Sequence, residues 1–133
     1  MNDTNKTVIL IILKDGKVLM EQRAPDSGLA NHFLLPGGKI EINEDTSQAA
    51  KREGLEELGI TITELVALEE FIGHESRRIL CPFLVISWTG EVSKVVLDKG
   101  NPVFWVDFED ISRSPLESVQ HLYKLSKNHL NKE

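Results

Sequence analysis

Residues 38–60 read GKIEINEDTSQAAKREGLEELGI, a run dense in glutamate with glycines at or next to its ends. Its second half carries the signals of one short helix. Thr46 or Asp45 can cap the N-terminus, Ser47 to Leu58 continue it, and Gly59 supplies the left-handed residue on which helices commonly end. Glu53, Glu56 and Glu57 fall on one helical face, because positions i, i+3 and i+4 are neighbours. Leu55 and Leu58 fall on the other side, with Ala50 at the margin. The spacing therefore predicts a helix that docks through its leucines and turns three carboxylates away from the core. Like charges so placed each cost roughly 0.2–0.5 kcal/mol in a free helix. The nearby cations, Lys51 and Arg52, point largely off the acidic face. A hard divalent cation fits better, since Mg²⁺ takes carboxylate and phosphate oxygens together with water.

Composition narrows the class. With 133 residues, 41% hydrophobic and 27% charged, the chain reads as a single domain over residues 1–133, able to bury a core without staples. A net charge of −6 argues against a nucleic-acid polymer or an anionic membrane as partner. A polyphosphate is anionic too, so bound metal and a few Arg or Lys must invert the field locally. The single Cys81 excludes an internal disulfide and suits a reducing compartment. No stretch approaches the ~18 apolar residues of a membrane span. The apolar run at Val8 to Leu13 is too short for a signal peptide and is followed at once by Lys14-Asp15-Gly16-Lys17, so the expected location is the cytoplasm.

Val8 to Leu13, β-branched and wholly apolar, reads as a strand buried on both faces. Asp15-Gly16 is a two-residue hairpin signal returning through Val18 to Arg23. Ala24 to His32 has turn composition, and Phe33 to Leu35 is a short strand leading into Pro36-Gly37-Gly38, where a glycine pair lets backbone approach a ligand. Further strands are expected at Ile62 to Gly73, Ile79 to Trp88 and Pro102 to Phe108, with Thr89 to Gly100 a loop. Pro115 opens a final helix whose Leu116, Val119, Leu122, Leu125 and Leu130 keep a helical period. This order predicts an α/β fold with a mixed sheet covered by helices. Phe33, Phe71, Phe83 and Trp88 are read as core, and the four His residues, which lack ligand spacing, as structural or surface.

At this point the chain resembles the Nudix family. The Nudix box, G-x5-E-x7-R-E-U-x-E-E-x-G-U with U a bulky aliphatic residue, is matched by Gly38, Glu44, Arg52, Glu53, Glu56, Glu57, Gly59 and Ile60. One position departs: Gly54 stands where an apolar side chain is expected. Arg23-Ala24, Leu29-Ala30-Asn31 and Pro36 to Glu41 look like the MutT-type branch. Downstream the likeness thins to Trp88 to Glu91 and Phe104 to Val106.

The resemblance implies an α/β/α sandwich and a Mg²⁺-dependent hydrolase, with Mn²⁺ as an alternative metal, that splits the diphosphate bond of a nucleoside diphosphate linked to a group X. It assigns Glu53, Glu56 and Glu57 to the metal, with the backbone carbonyl of Gly37 or Gly38 completing the shell and Asp98 standing in for a distal acid. Glu53 is the expected general base, while Arg52 and Glu44 orient the carboxylates. Arg23 and Arg78, with Gly37 and Gly38, are assigned to the substrate. The MutT-like match implies a (deoxy)nucleoside triphosphate, giving a nucleoside monophosphate and pyrophosphate. ADP-ribose, nucleotide sugars and dinucleoside polyphosphates stay open, as do a silent nucleotide-binding module and a homodimer. The Asn by which MutT-type proteins recognise 8-oxoguanine near the last helix has no counterpart between Pro102 and Lys127.

Overall fold

β1 (Lys6–Lys14) is the strand on which two halves of the core meet. Successive side chains of a strand point to opposite faces. Val8, Leu10 and Ile12 therefore join one apolar cluster with Ala49, Ala50, Leu58 and Ile60. Ile11 joins a second with Leu116, Val119 and Leu122. Burial on both faces is why the run carries no polar residue. The computed structural model that shows this describes residues 5–23 and 33–131; the expected turn at Ala24 to His32, with the MutT-like Leu29-Ala30-Asn31, lies outside them.

β1 turns through Asp15 and Gly16, both with positive φ (53° and 77°), into β2 (Lys17–Gln22). β3 (Phe33–Leu34) and β4 (Gly37–Lys39) follow, then α1 (Thr46–Leu58), β5 (Thr61–Ala67), β6 (Phe71–Ile72), β7 (Ile79–Thr89) and β8 (Val103–Asp107). A 3-10 helix (Phe108–Arg113) leads to α2 (Glu117–Leu130). The sheet path is β3-β2-β1-β7-β5, with β4 on β1, β6 on β7 and β8 on β2. β1 and β7 run parallel from Lys6↔Ile79 to Ile12↔Val85, and every other strand pair is antiparallel. α1 covers the first apolar cluster and α2 the second. This is the expected mixed sheet between helices.

Two elements differ from the sequence reading. The strand expected over Ile62 to Gly73 is two strands, because Ala67 pairs with Phe83 and Phe71 with Leu80, leaving three residues opposite Cys81 and Pro82. Pro82 has no N–H to donate, and residues 68–70 run outside either strand, with the Leu68 amide donating to the Pro82 carbonyl at 2.9 Å. Phe33 is not core: it is 40% exposed and meets Phe104 edge-on, ring centroids 5.8 Å apart. The feature that matters for function lies along one edge of β1. β2 stays paired with it only at Leu13↔Val18 and Lys14↔Lys17, while β4 takes over at Thr7 to Ile9. A cleft opens between the diverging partners.

Candidate active site

α1 is delivered to this cleft by its own ends. Asp45 accepts from the Gln48 amide at 2.8 Å while the Gln48 side chain accepts from the Asp45 amide at 2.8 Å, a reciprocal capping box. Gly59, with φ 70°, closes the helix. Its orientation differs from the one the leucine spacing predicts. The buried stripe is Ala49, Ala50, Glu53, Gly54, Glu57 and Leu58, and Leu55 is 57% exposed. Gly54 is the reason: a Cβ there would stand 2.7 Å from Ile62 Cδ1, so the bare backbone settles on Ile62 and carries its neighbours Glu53 and Glu57 inward. Of the box glutamates, only Glu56 remains exposed.

The glycine pair on β4 meets these carboxylates. A Cβ on Gly37 would fall 2.0 Å from the Val8 carbonyl oxygen, and one on Gly38 would fall 2.3 Å from Glu53 Cδ. Glu53 thus rests its carboxyl group against bare backbone, a contact that any side chain at residue 38 would deny.

Arg52 organises the acids, as the resemblance implies for it and Glu44, although its place on the helix lies off their face. Its Nε and Nη2 fork onto Glu44 at 2.7 and 3.0 Å. Nη1 reaches Glu53 Oε2 at 2.7 Å and Glu56 Oε1 at 2.9 Å, and Nη2 also donates to the Lys39 carbonyl at 2.9 Å. The side chain is long enough to lie across the helix surface, which a wheel of Cβ directions does not register. The guanidinium holds the Glu44 carboxyl below the usual carboxylate range, and Arg52 itself is held above its ordinary value by Glu44.

Glu57 sits deeper. Burial, with a hydrogen bond to Asp98, pushes its carboxyl up to about 8, and Lys99 Nζ stands 3.9 Å from its Oε1. Asp98 and Lys99 ride on a turn fixed to the end of α1, where the Leu97 amide donates to the Glu57 carbonyl at 2.8 Å.

Arg23, Gly37, Gly38, Arg52, Glu53, Glu56, Arg78 and Asp98 all line one cleft of about 620 Å³. Glu44 and Glu57 stand behind the wall, touching Arg52 and Asp98 respectively. Arg78 is pinned at the cleft by Thr7 Oγ1 at 2.6 Å and the Lys6 carbonyl at 3.0 Å. Leu34, Leu35, Leu80, Val119 and Leu122 give the other end an apolar lining. The sequence reading missed Glu21 and Lys99 on the same wall. The alternation of β2, which sets Glu21 among residues facing α1, was the one available signal.

The donor chemistry fits a hard cation. Glu53 Oε1 and Glu57 Oε2 are shut off from water and have no hydrogen-bond partner among the described residues. Buried carboxylate oxygens left in that state are costly, and a divalent ion bound through oxygen would satisfy them. Among the described residues no three acidic or imidazole groups are already gathered at binding distance, with Arg52 occupying Glu53 Oε2 and Glu56 Oε1 instead.

The NUDIX domain profile matches residues 3–128. The 8-oxo-dGTP diphosphatase of Proteus vulgaris is 37% identical over 84 residues, 61% of this chain and 74% of that protein. The CTP pyrophosphohydrolase of Escherichia coli is 45% identical over 74 residues, so the match spans about half its length, 52%. The solution structure of the E. coli ORF135 protein superposes with a TM-score of 0.71 at 31% identity, covering 92% of this chain and 88% of the other. A structure from an analysis of MutT from Aliivibrio salmonicida and Vibrio cholerae gives 0.75 at 27%, covering 90% and 93%.

Proposed function

This chain belongs to the NUDIX family, and from that premise we propose that it is a MutT-like pyrophosphohydrolase acting on a (deoxy)nucleoside triphosphate and releasing a nucleoside monophosphate and pyrophosphate. NUDIX hydrolases generally use a divalent metal, and Mg²⁺, with Mn²⁺ as a substitute, is the one proposed here. The observation that carries the reading is the pair of buried glutamate oxygens, Glu53 Oε1 and Glu57 Oε2, that nothing among the described residues satisfies. Relatives acting on 8-oxo-dGTP and on CTP support a nucleoside triphosphate as the class.

In this reading Glu53, Glu56, Glu57 and the Gly37 carbonyl hold the cation, with Asp98 beside them. The bound ion supplies charge neutralisation on phosphate oxygens and lowers the pKa of a coordinated water. The chain's own groups do the rest. Arg52, anchored on Glu44, orients the Glu53 carboxylate, which accepts the proton of the attacking water. Water oxygen bonds to one phosphorus, and the bridging P–O bond breaks with its electron pair leaving on the departing phosphate. Arg23 contacts the phosphate chain at the cleft wall, Arg78 adds positive charge, and the charge that develops meets these fixed cations. The apolar end formed by Leu34, Leu35, Leu80, Val119 and Leu122 receives the face of the base. No helix among the described residues is long and apolar enough to cross a membrane, and a cytoplasmic enzyme is the corresponding proposal.

The test is pyrophosphate release from metal-stripped protein with Mg²⁺ restored. The panel comprises canonical and oxidised (deoxy)nucleoside triphosphates, ADP-ribose, a nucleotide sugar and a dinucleoside polyphosphate. Turnover confined to the triphosphates is expected. Binding across the panel without turnover makes the chain a nucleotide-binding module instead, and turnover confined to the other compounds moves the substrate class.

A further inference from the structure

Among the described residues the buried charged side chains are Glu21, Glu53 and Glu57, and none is a cation. Two of them belong to the box. Glu21 does not: it is the last but one residue of β2, on the face that looks toward α1, is 4% exposed, and lines the same cleft as Glu53, Glu56 and Asp98. Its Oε2 accepts from Asn101 Nδ2 at 2.7 Å. Asn101 is itself held rigidly, since its carbonyl accepts from the Val96 amide at 2.8 Å. A neutral amide does not balance a buried carboxylate, whose desolvation is offset only by a cation close to it. The chain carries this cost beside two further buried glutamates that have oxygens left unpartnered.

We propose that Glu21, oriented by Asn101, is an outer carboxylate of the cation site: its charge strengthens retention of the divalent ion without belonging to the Nudix box. The inference rests on the reading of that site given above. The competing explanation is a tether, in which the hydrogen bond to Asn101 merely ties the turn carrying Asp98 and Lys99 to the sheet. Glu21→Gln separates the two, because the amide oxygen can still accept from Asn101 while the charge is gone.

The experiment uses the full chain stripped of metal and titrated with Mn²⁺, free ion being read by electron paramagnetic resonance. Outer groups of metal sites change affinity by about 10–100-fold when altered. Glu21→Gln is expected to bind Mn²⁺ about tenfold more weakly than wild type while the metal-free variant melts no lower, one buried charge having been removed. Equal Mn²⁺ affinity in the two proteins overturns the inference alone. A wild-type chain that binds no Mn²⁺ overturns the parent reading and this one with it. Should the variant fail to fold, the wild type decides. Substoichiometric Mn²⁺ should broaden the ¹³C-carboxyl signal of Glu21 along with that of Glu53, and survival of the Glu21 signal when the Glu53 signal has vanished refutes the placement.

Discussion

Gly54→Ala is the most informative single substitution, because general helix rules and this particular packing predict opposite signs. In an exposed helix, Ala is favoured over Gly by about 1 kcal/mol. Here the new Cβ would lie 2.7 Å from Ile62 Cδ1 and 3.2 Å from Ile62 Cγ1, inside the roughly 3.5–4.0 Å of a comfortable carbon contact. Ile62 is 4% exposed and Ile60 fully buried, so the isoleucine end cannot swing into solvent. Overpacking of this kind costs about 1–3 kcal/mol. Gly54→Ala should therefore be destabilising by up to about 2 kcal/mol, despite the gain in propensity. Ile62→Val deletes the offending Cδ1 and alone costs about 0.5–1.5 kcal/mol. Combined, the alanine methyl occupies the space the isoleucine vacates, and stability should return close to wild type. The assay is a double-mutant cycle by urea unfolding, read against melting temperature. A rise in stability for Gly54→Ala alone, or additivity within about 0.3–0.5 kcal/mol, would refute the packing argument.

The site gives further expectations. Gly38→Ala should displace the Glu53 carboxyl and cut kcat at least tenfold with little change in fold, since the clash is with that carboxyl and Glu53 Cδ lies 2.3 Å from the new methyl; steady-state kinetics with circular dichroism checks it, and unchanged kcat refutes it. Arg52→Lys abolishes the fork onto Glu44 and should cost about 1–3 kcal/mol as well as activity; a variant of equal stability and turnover shows the network to be ornamental. In metal-free protein Glu57, held at about 8 chiefly by burial, binds its proton more tightly folded than unfolded. Stability from this group is thus full below its ordinary value and declines as pH rises toward 8. Melting temperature should fall over that window and the slope should flatten in Glu57→Gln; a metal-free wild type with the same pH profile as the variant contradicts this. Glu57→Gln should also lose most of the turnover while keeping its fold, and full activity would remove Glu57 from the site.

What was legible in the sequence was local. Asp15-Gly16 specifies its hairpin, because two residues of positive φ match the twist of the strands they join. Asp45 and Gly59 specify the ends of α1, because caps act within a turn or two of chain. The box spacing marked Glu53, Glu56 and Glu57 as one chemical set. Tertiary structure decided which of these carboxylates are buried, and for a reason no wheel of helical positions contains. Gly54 has no side chain of its own, so the angle at which α1 settles depends on Ile62, a residue of the next strand. The same limit hid the burial of Glu21. The sequence by itself determined that three acids would share a short helix. Only the packing of that helix on the sheet, against Gly38 and beneath the turn carrying Asp98 and Lys99, decided which of their oxygens lie buried without a partner, because desolvation is set by neighbours distant in the chain.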